Sequence, residues 1–209
     1  MGLVTGIETN RKIVTIYIDN VAFLRLHERY FKQLPVREGD DVDEEAYIGS
    51  LCAKQSKPCY EAALYMLDAR DMTSSMLVQG LTRKGFMKEV AESVCSRLIE
   101  NGLINDERYA ERYVELRKNS ENGVMAIERK LRSRGVDRDT AKQALEQIDD
   151  ESQLRSACEL AVKLVRKYEG LPIREKKAKL SAAIARRGYT WDIVSEAVEK
   201  AVSEDDWDE

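Results

Sequence analysis

The sequence predicts a mostly α-helical protein: three tandem three-helix units in an elongated array, preceded by a small antiparallel β-hairpin or sheet element with short helices. Three observations predict it. A helix-ending glycine recurs at about fifty-residue spacing, as Arg83-Lys84-Gly85-Phe86, Ser133-Arg134-Gly135-Val136 and Arg186-Arg187-Gly188-Tyr189. Apolar residues keep constant offsets from it: Leu81, Leu131 and Ile184 four before, Phe86, Val136 and Tyr189 one after, Ala91, Ala141 and Val194 six after. β-Branched strand patterns gather before residue 27 and give way to helical periodicity beyond it. Glycine accepts the left-handed backbone that closes a helix without a Cβ penalty, so its recurrence marks the same helix end three times.

The elements follow in order. Lys12-Ile13-Val14-Thr15-Ile16-Tyr17-Ile18 reads as a strand, Asp19-Asn20 as a two-residue turn and Val21–Leu26 as its hairpin partner. Leu3–Glu8 is a third strand, joined through Thr9-Asn10-Arg11. A short helix over His27–Leu34 ends at Pro35, Val36–Asp40 turns, and a second helix runs from about Asp43 to Ala53. Lys54-Gln55-Ser56-Lys57-Pro58 is the linker candidate. The first unit then places Tyr60, Ala63, Leu64 and Leu67 on one face, with Asp71 or Thr73 capping its middle helix.

The middle unit is the most regular. Asn105 is an N-cap, with Asp106 and Glu107 where the helix dipole favours carboxylates. Tyr109, Ala110, Tyr113, Val114 and Leu116 recur at helical spacing. Asn119–Gly123 is a polar turn, and a basic helix follows with Ile127 and Leu131 inward. Asp137 and Thr190 are good N-caps for the helices after the second and third glycines, and Met87 is a poor one. In the third unit a long helix through Lys167 breaks at Glu169-Gly170-Leu171-Pro172. The expected divisions are 1–57 leader, 58–104, 105–150 and 151–203 repeats, and 204–209 acidic tail.

Composition excludes several classes. The net charge of −4 is at odds with a basic coat over the whole molecule, while 34% charged and 7% aromatic residues suit a thin helical core. No apolar run has the length needed to span a bilayer and no export signal is read, so a cytoplasmic protein without membrane contact is expected. Cys52, Cys59, Cys95 and Cys158 lack CxxC spacing and read as free thiols. His27 has no ligand cluster at metal spacing and reads as structural. No glycine loop for phosphates is present, so neither a metal, a cofactor nor an enzyme is expected.

The basic helices are the constellation with functional promise. The candidates are Arg83 and Lys84 in the first unit, Arg112, Arg117, Arg129, Lys130, Arg132 and Arg134 in the second, and Arg174, Lys176, Lys177, Lys179, Arg186 and Arg187 in the third. A single such run is usually a solvated face. Recurrence at one place in stacked repeats would merge three patches into a stripe suited to phosphates or an acidic protein surface. Tyr109 and Tyr113 are expected mainly as core, and Gly85, Gly135 and Gly188 as structural turns.

On residues 102–114 (Gly-Leu-Ile-Asn-Asp-Glu-Arg-Tyr-Ala-Glu-Arg-Tyr-Val) with Arg117, and the helix ending at Gly135, the chain resembles the RecX family of bacterial recombination regulators. Ala63–Leu67 and Leu81–Phe86 match that family's first repeat, and Val14–Asp19 with Arg37–Asp40 is similar to the β-containing leader of its longer members. Asn20 stands where those members usually have a turn glycine. The resemblance implies a non-enzymatic, cofactor-free accessory protein that binds the RecA filament on single-stranded DNA and limits its growth or promotes disassembly. It implies reduced strand exchange and coprotease activity in the SOS response. Weak direct DNA binding and a monomer are expected. Two other classes remain open: a duplex-DNA binder using helix-turn-helix-like repeats, and a plain helical scaffold. Against the former, the helices after the glycines start acidic or mixed (Lys88-Glu89, Asp137-Arg138-Asp139, Thr190-Trp191-Asp192).

Overall fold

The computed structural model describes residues 1–118 and 120–205, without the side chains of Glu204 and Asp205. Asn119 and the end of the expected acidic tail, 206–209, lie outside the described residues. The chain divides into two compact units, Met1–Asn105 and Asp106–Glu209.

The first unit opens with β1 (Gly2–Asn10), β2 (Ile13–Ile18) and β3 (Val21–His27), joined by β4 (Asp41–Val42) in an antiparallel sheet of order β3-β2-β1-β4. Val4, Val14, Ile16, Ile18 and Leu26 form its buried side. Both hairpin turns use two residues with positive φ, Arg11 (46°) with Lys12 (71°) and Asp19 (48°) with Asn20 (64°). Such a pair twists the chain in the hand that the flanking strands require. Asn20 therefore substitutes for a turn glycine, because asparagine tolerates the left-handed region. The first turn is Arg11-Lys12 rather than Thr9-Asn10-Arg11, since β1 keeps pairing as far as Asn10↔Ile13. β4 has no counterpart in the sequence reading; its two residues pair with Gly2 and Leu3 once Gly39 (φ 92°) has turned the chain.

Four helices complete this unit: α1 (Glu28–Phe31), α2 (Glu44–Ala69), α3 (Ser74–Arg83) and α4 (Lys88–Glu100). The expected linker at residues 54–58 is instead helix interior. α2 runs unbroken through Pro58. Leu51, Gln55, Cys59 and Ala63 are buried at successive four-residue steps, so packing on both sides of the proline holds the turn. The bond lost at Pro58 would have reached the Lys54 carbonyl, and both residues are exposed, where water can take its place. Thr73, not Asp71, caps α3 through Oγ1, which accepts from Met76 N at 3.1 Å. One core runs from Val4 to Ile104, so the sheet and the first repeat are packed together.

The second unit holds α5 (Asp106–Glu115), α6 (Val124–Ser133), α7 (Arg138–Leu145), α8 (Asp150–Val165), α9 (Ile173–Arg186) and α10 (Trp191–Asp205). Among the described residues the fold is therefore the expected one, with triplets α2–α4, α5–α7 and α8–α10 behind a β-containing leader. The glycines have φ of 90°, 85° and 88° at Gly85, Gly135 and Gly188. The Leu81 and Leu131 carbonyls accept from Phe86 N and Val136 N, each at 3.2 Å, the six-residue closure of a left-handed helix end. Every apolar position aligned on these glycines is buried, from Leu81, Leu131 and Ile184 to Ala91, Ala141 and Val194. Leu116 is the exception to the inward helical pattern: it lies past the end of α5 and is 71% exposed. All four cysteines are free.

Candidate functional site

The basic residues occupy three kinds of place. Arg83, Lys84, Arg112, Arg129, Lys130, Arg132, Arg174, Lys179, Arg186 and Arg187 are exposed; Arg117, Arg134 and Lys177 are half-buried. Lys176 is a correction to the expected exposed face, because it is only 9% exposed. Its position four residues before Leu180 and eight before Ile184 puts it on the inward side of α9, where its stem packs.

Within the exposed set, Arg129, Lys130 and Arg132 project from the last turns of α6 with no side-chain hydrogen bond or ion pair among the described residues. Two favourable factors act there: cations at a helix C-terminus face the negative end of the dipole, and exposure leaves them available to an outside anion. Arg83 bends back, its Nε donating to the Gln79 carbonyl at 3.3 Å. Lys177 is tied to Glu199 at 2.6 Å.

The cations directly before the glycines are committed to the fold in the second unit. Arg134 donates from Nη1 to the Tyr109 hydroxyl and sits 4.5 Å from the centroid of the Tyr113 ring and 5.9 Å from that of Tyr109. Arg117 approaches the same Tyr113 ring at 4.0 Å. The two tyrosines stack with centroids 6.3 Å apart and planes 16° apart, and Tyr113 is buried. This is a cation–π cluster in which Tyr113 is buried, Tyr109 is half-buried and Arg134 is the clamp.

Arg187, at the same position before Gly188, anchors the junction between the second and third repeats. Glu121 accepts from Arg187 Nη1 at 3.0 Å and from Lys163 Nζ at 2.8 Å. Lys163 first and Arg187 second hold the Glu121 carboxyl below its ordinary range. Beneath this exposed bridge, Gly123 N donates to the Arg187 carbonyl and Met125 N to the Gly188 carbonyl, both at 3.0 Å. Val124 N donates to Oε1 of the buried Gln153 at 3.0 Å. The start of α6 thus meets the end of α9 head to tail, so three of its unpaired N–H groups are satisfied by the third repeat. No room for a Cβ exists: one on Gly123 would run into the Gly188 carbonyl, and one on Gly188 into the backbone of Ala126.

The first repeat uses its glycine turn in the same manner against the leader. A Cβ on Gly85 would stand 2.9 Å from His27 Cβ. Arg29 Nη2 donates to the Lys84 carbonyl at 2.9 Å while its guanidinium lies over Tyr30 (4.5 Å) and Phe86 (5.0 Å). His27 is the N-cap of α1, its Nδ1 accepting from Arg29 N at 3.2 Å, which makes it the structural histidine expected. Met87 caps α4 poorly, and the buried Gln55 compensates by accepting from Met87 N at 2.9 Å.

Arg29, Gln55, Glu121 and Gln153 were not singled out in sequence. A glutamine at a four-residue step between Leu51 and Cys59 was the available signal for Gln55: an amide on an apolar stripe must bond to something. Glu121, inside a polar turn, carried no such signal. No group of histidine, cysteine or acidic residues among those described could hold a metal ion, and no helix is long and apolar enough to cross a membrane.

Three-helix repeats whose middle and third helices are joined by a glycine turn, with exposed cations on each middle helix, define a helical-repeat protein. The sequence models of the first, second and third three-helix domains of RecX match residues 59–98, 105–145 and 150–198. The chain belongs to the RecX family. It is 26% identical to the regulatory protein RecX of Bacillus subtilis (strain 168), over 100% of this chain and 80% of that protein. It is 33% identical to the regulatory protein RecX of Trichlorobacter lovleyi, over 71% of this chain and 98% of that one. A crystal structure of regulatory protein RecX aligns over 95% of this chain and 100% of its own at 25% identity, with a TM-score of 0.67.

Proposed function

We propose that the protein is a non-enzymatic regulator of the RecA recombinase, binding along its filament on single-stranded DNA and limiting filament growth or promoting disassembly. The observation that carries this reading is the unpaired, exposed trio Arg129, Lys130 and Arg132, on the middle helix of the repeat that matches the family's second three-helix domain. Cations at one end of each middle helix, in a chain of net charge −4, suit a partner that presents phosphate or carboxylate locally. Repeated weak contacts along a polymer multiply into avidity, so no single site need be strong. Suppression of recombination and of the SOS response follows from a shorter filament.

The test is a titration of preformed RecA filaments on single-stranded DNA with substoichiometric protein, reading filament occupancy. Naked single- and double-stranded DNA run in parallel. Loss of occupancy with weak binding to either naked DNA is the expected result. Tight duplex binding without recombinase would instead select the helix-turn-helix reading. The first turns of α4, α7 and α10, which begin Lys88-Glu89, Arg138-Asp139 and Trp191-Asp192, disfavour it, because a recognition helix reads phosphates and bases with its N-terminal residues.

A further inference from the structure

The second unit also carries a groove of the opposite sign. It lies between the first turns of α8 and α10 and encloses about 340 Å³. Its floor is apolar, made by Leu154 and Ile193, and its rim is Asp150, Glu151, Asp192 and Glu196. Among the described residues no lysine or arginine lines it. Glu196 is paired with Lys200 at 2.8 Å. Asp150, Glu151 and Asp192 make no ion pair or side-chain hydrogen bond among the described residues.

Acidic residues in the first turn of a helix are ordinary, because the dipole favours them. That accounts for Asp150, Glu151 and Asp192 singly, and Lys200 accounts for Glu196 one turn further on. It does not account for the apolar floor between them or for the residue beside it. Trp191 sits in sequence between the rim residue Asp192 and Thr190, also a lining residue, and is 69% exposed. An indole offers roughly 150–250 Å² for burial, which a folded chain seldom leaves in water. The same place relative to the helix-ending glycine is Lys88 in the first repeat and Arg138 in the second, both ordinary surface residues. The tryptophan therefore belongs to the third repeat's own surface and is no requirement of the repeat fold.

We propose that this groove docks a basic amphipathic segment of a protein partner. An apolar side chain of that segment rests on Leu154 and Ile193, its lysines or arginines meet Asp150, Glu151 and Asp192, and one cation stacks over Trp191. Charge decides the class of occupant. Phosphate would be repelled by four carboxylates, and an acidic segment likewise, whereas a basic one gains from each. Exposed tryptophans are also the residues on which protein interfaces most often concentrate their energy. Its described lining includes none of the middle-helix cations, so it stands or falls independently of the recombinase reading.

The experiment uses the whole 209-residue chain carrying Trp207→Phe, so that indole emission reports on Trp191 alone. The probe is a synthetic Lys/Leu amphipathic peptide, with a Glu/Leu peptide of equal length and apolar content as control. Saturable binding of the Lys/Leu peptide with a blue shift of Trp191 emission is expected, together with no response to the Glu/Leu peptide. Affinity should fall about tenfold or more in Asp150→Asn/Glu151→Gln/Asp192→Asn, and again in Trp191→Ala read by anisotropy of labelled peptide. Circular dichroism confirms that these surface variants keep the helical fold. Equal binding of both peptides, unchanged affinity in the neutralised variant, or unmoved Trp191 emission would each overturn the proposal.

Discussion

Arg132 and Arg134 stand two residues apart at the end of α6 and have unlike roles. Arg132 is exposed and unpaired, while Arg134 is clamped over Tyr109 and Tyr113. A run of cations in sequence gives no hint of the division, because α6 ends between them and the helix wheel no longer applies to Arg134. Reversing Arg132 to Glu should leave stability within about 0.5 kcal/mol of the parent, as surface substitutions do. Arg134→Glu should cost roughly 1–2 kcal/mol, since it removes a partly buried cation from the tyrosine stack. Tyr113→Ala, which empties a buried ring site, should cost about 3–5 kcal/mol. Urea denaturation of the three variants orders them. An Arg134→Glu protein as stable as Arg132→Glu would remove the clamp from the energetics.

At the scale of elements, the glycine turns are docking points as well as helix stops. Gly188 needs its glycine twice over: for a φ of 88° and for the close approach of Ala126. Gly123 needs it once, for space, since its own φ of −73° suits any residue. Gly188→Ala should therefore destabilise the second unit by about 2–4 kcal/mol, and Gly123→Ala by about 1–3 kcal/mol. Thermal melts would show this, and a Gly123→Ala variant with the parent's melting temperature would mean that α6 can part from the α9 turn without loss. The Glu121 bridge adds a pH dependence. Its carboxyl titrates below the usual value of 4.5 when folded, so its contribution is present above that value and is lost as pH falls through the lower, folded one. Glu121→Gln should flatten that acid limb of the second unit's stability, with a small amplitude because the bridge is exposed. An unchanged limb would assign it to other carboxylates, of which Asp137 and Asp149 are also held low by helix-capping hydrogen bonds.

For the molecule as a whole, the basic surface should act through long-range charge more than through fit. Arg129→Glu/Arg132→Glu should keep the fold and lose most filament binding, and the parent should itself weaken as salt rises. Filament binding that withstands both the reversal and high salt would take these cations out of the mechanism and leave the repeat architecture untouched.

The repeats themselves were legible in the chain. Leu81, Leu131 and Ile184 at one offset from Gly85, Gly135 and Gly188 determine where each middle helix ends and which side it buries, because helix periodicity and the left-handed glycine are local chemistry. The strands and the Asp19-Asn20 turn were legible for the same reason. What only tertiary structure decided is where long-range packing overrules a local rule. Pro58 lies inside α2 because Leu51, Gln55, Cys59 and Ala63 are held on both sides of it. β4 exists because Gly2 and Leu3 offer it an edge to pair with. Lys176 is buried, Arg134 is clamped by tyrosines of α5 and Arg187 is bridged by Glu121 of the turn before α6, and a cation's sequence is silent about which neighbour will arrive. Local propensities are written residue by residue, whereas the free energy of a side chain's surroundings depends on partners far along the chain. The positions of the basic residues are therefore sequence information, and their division into clamps and free charges is not.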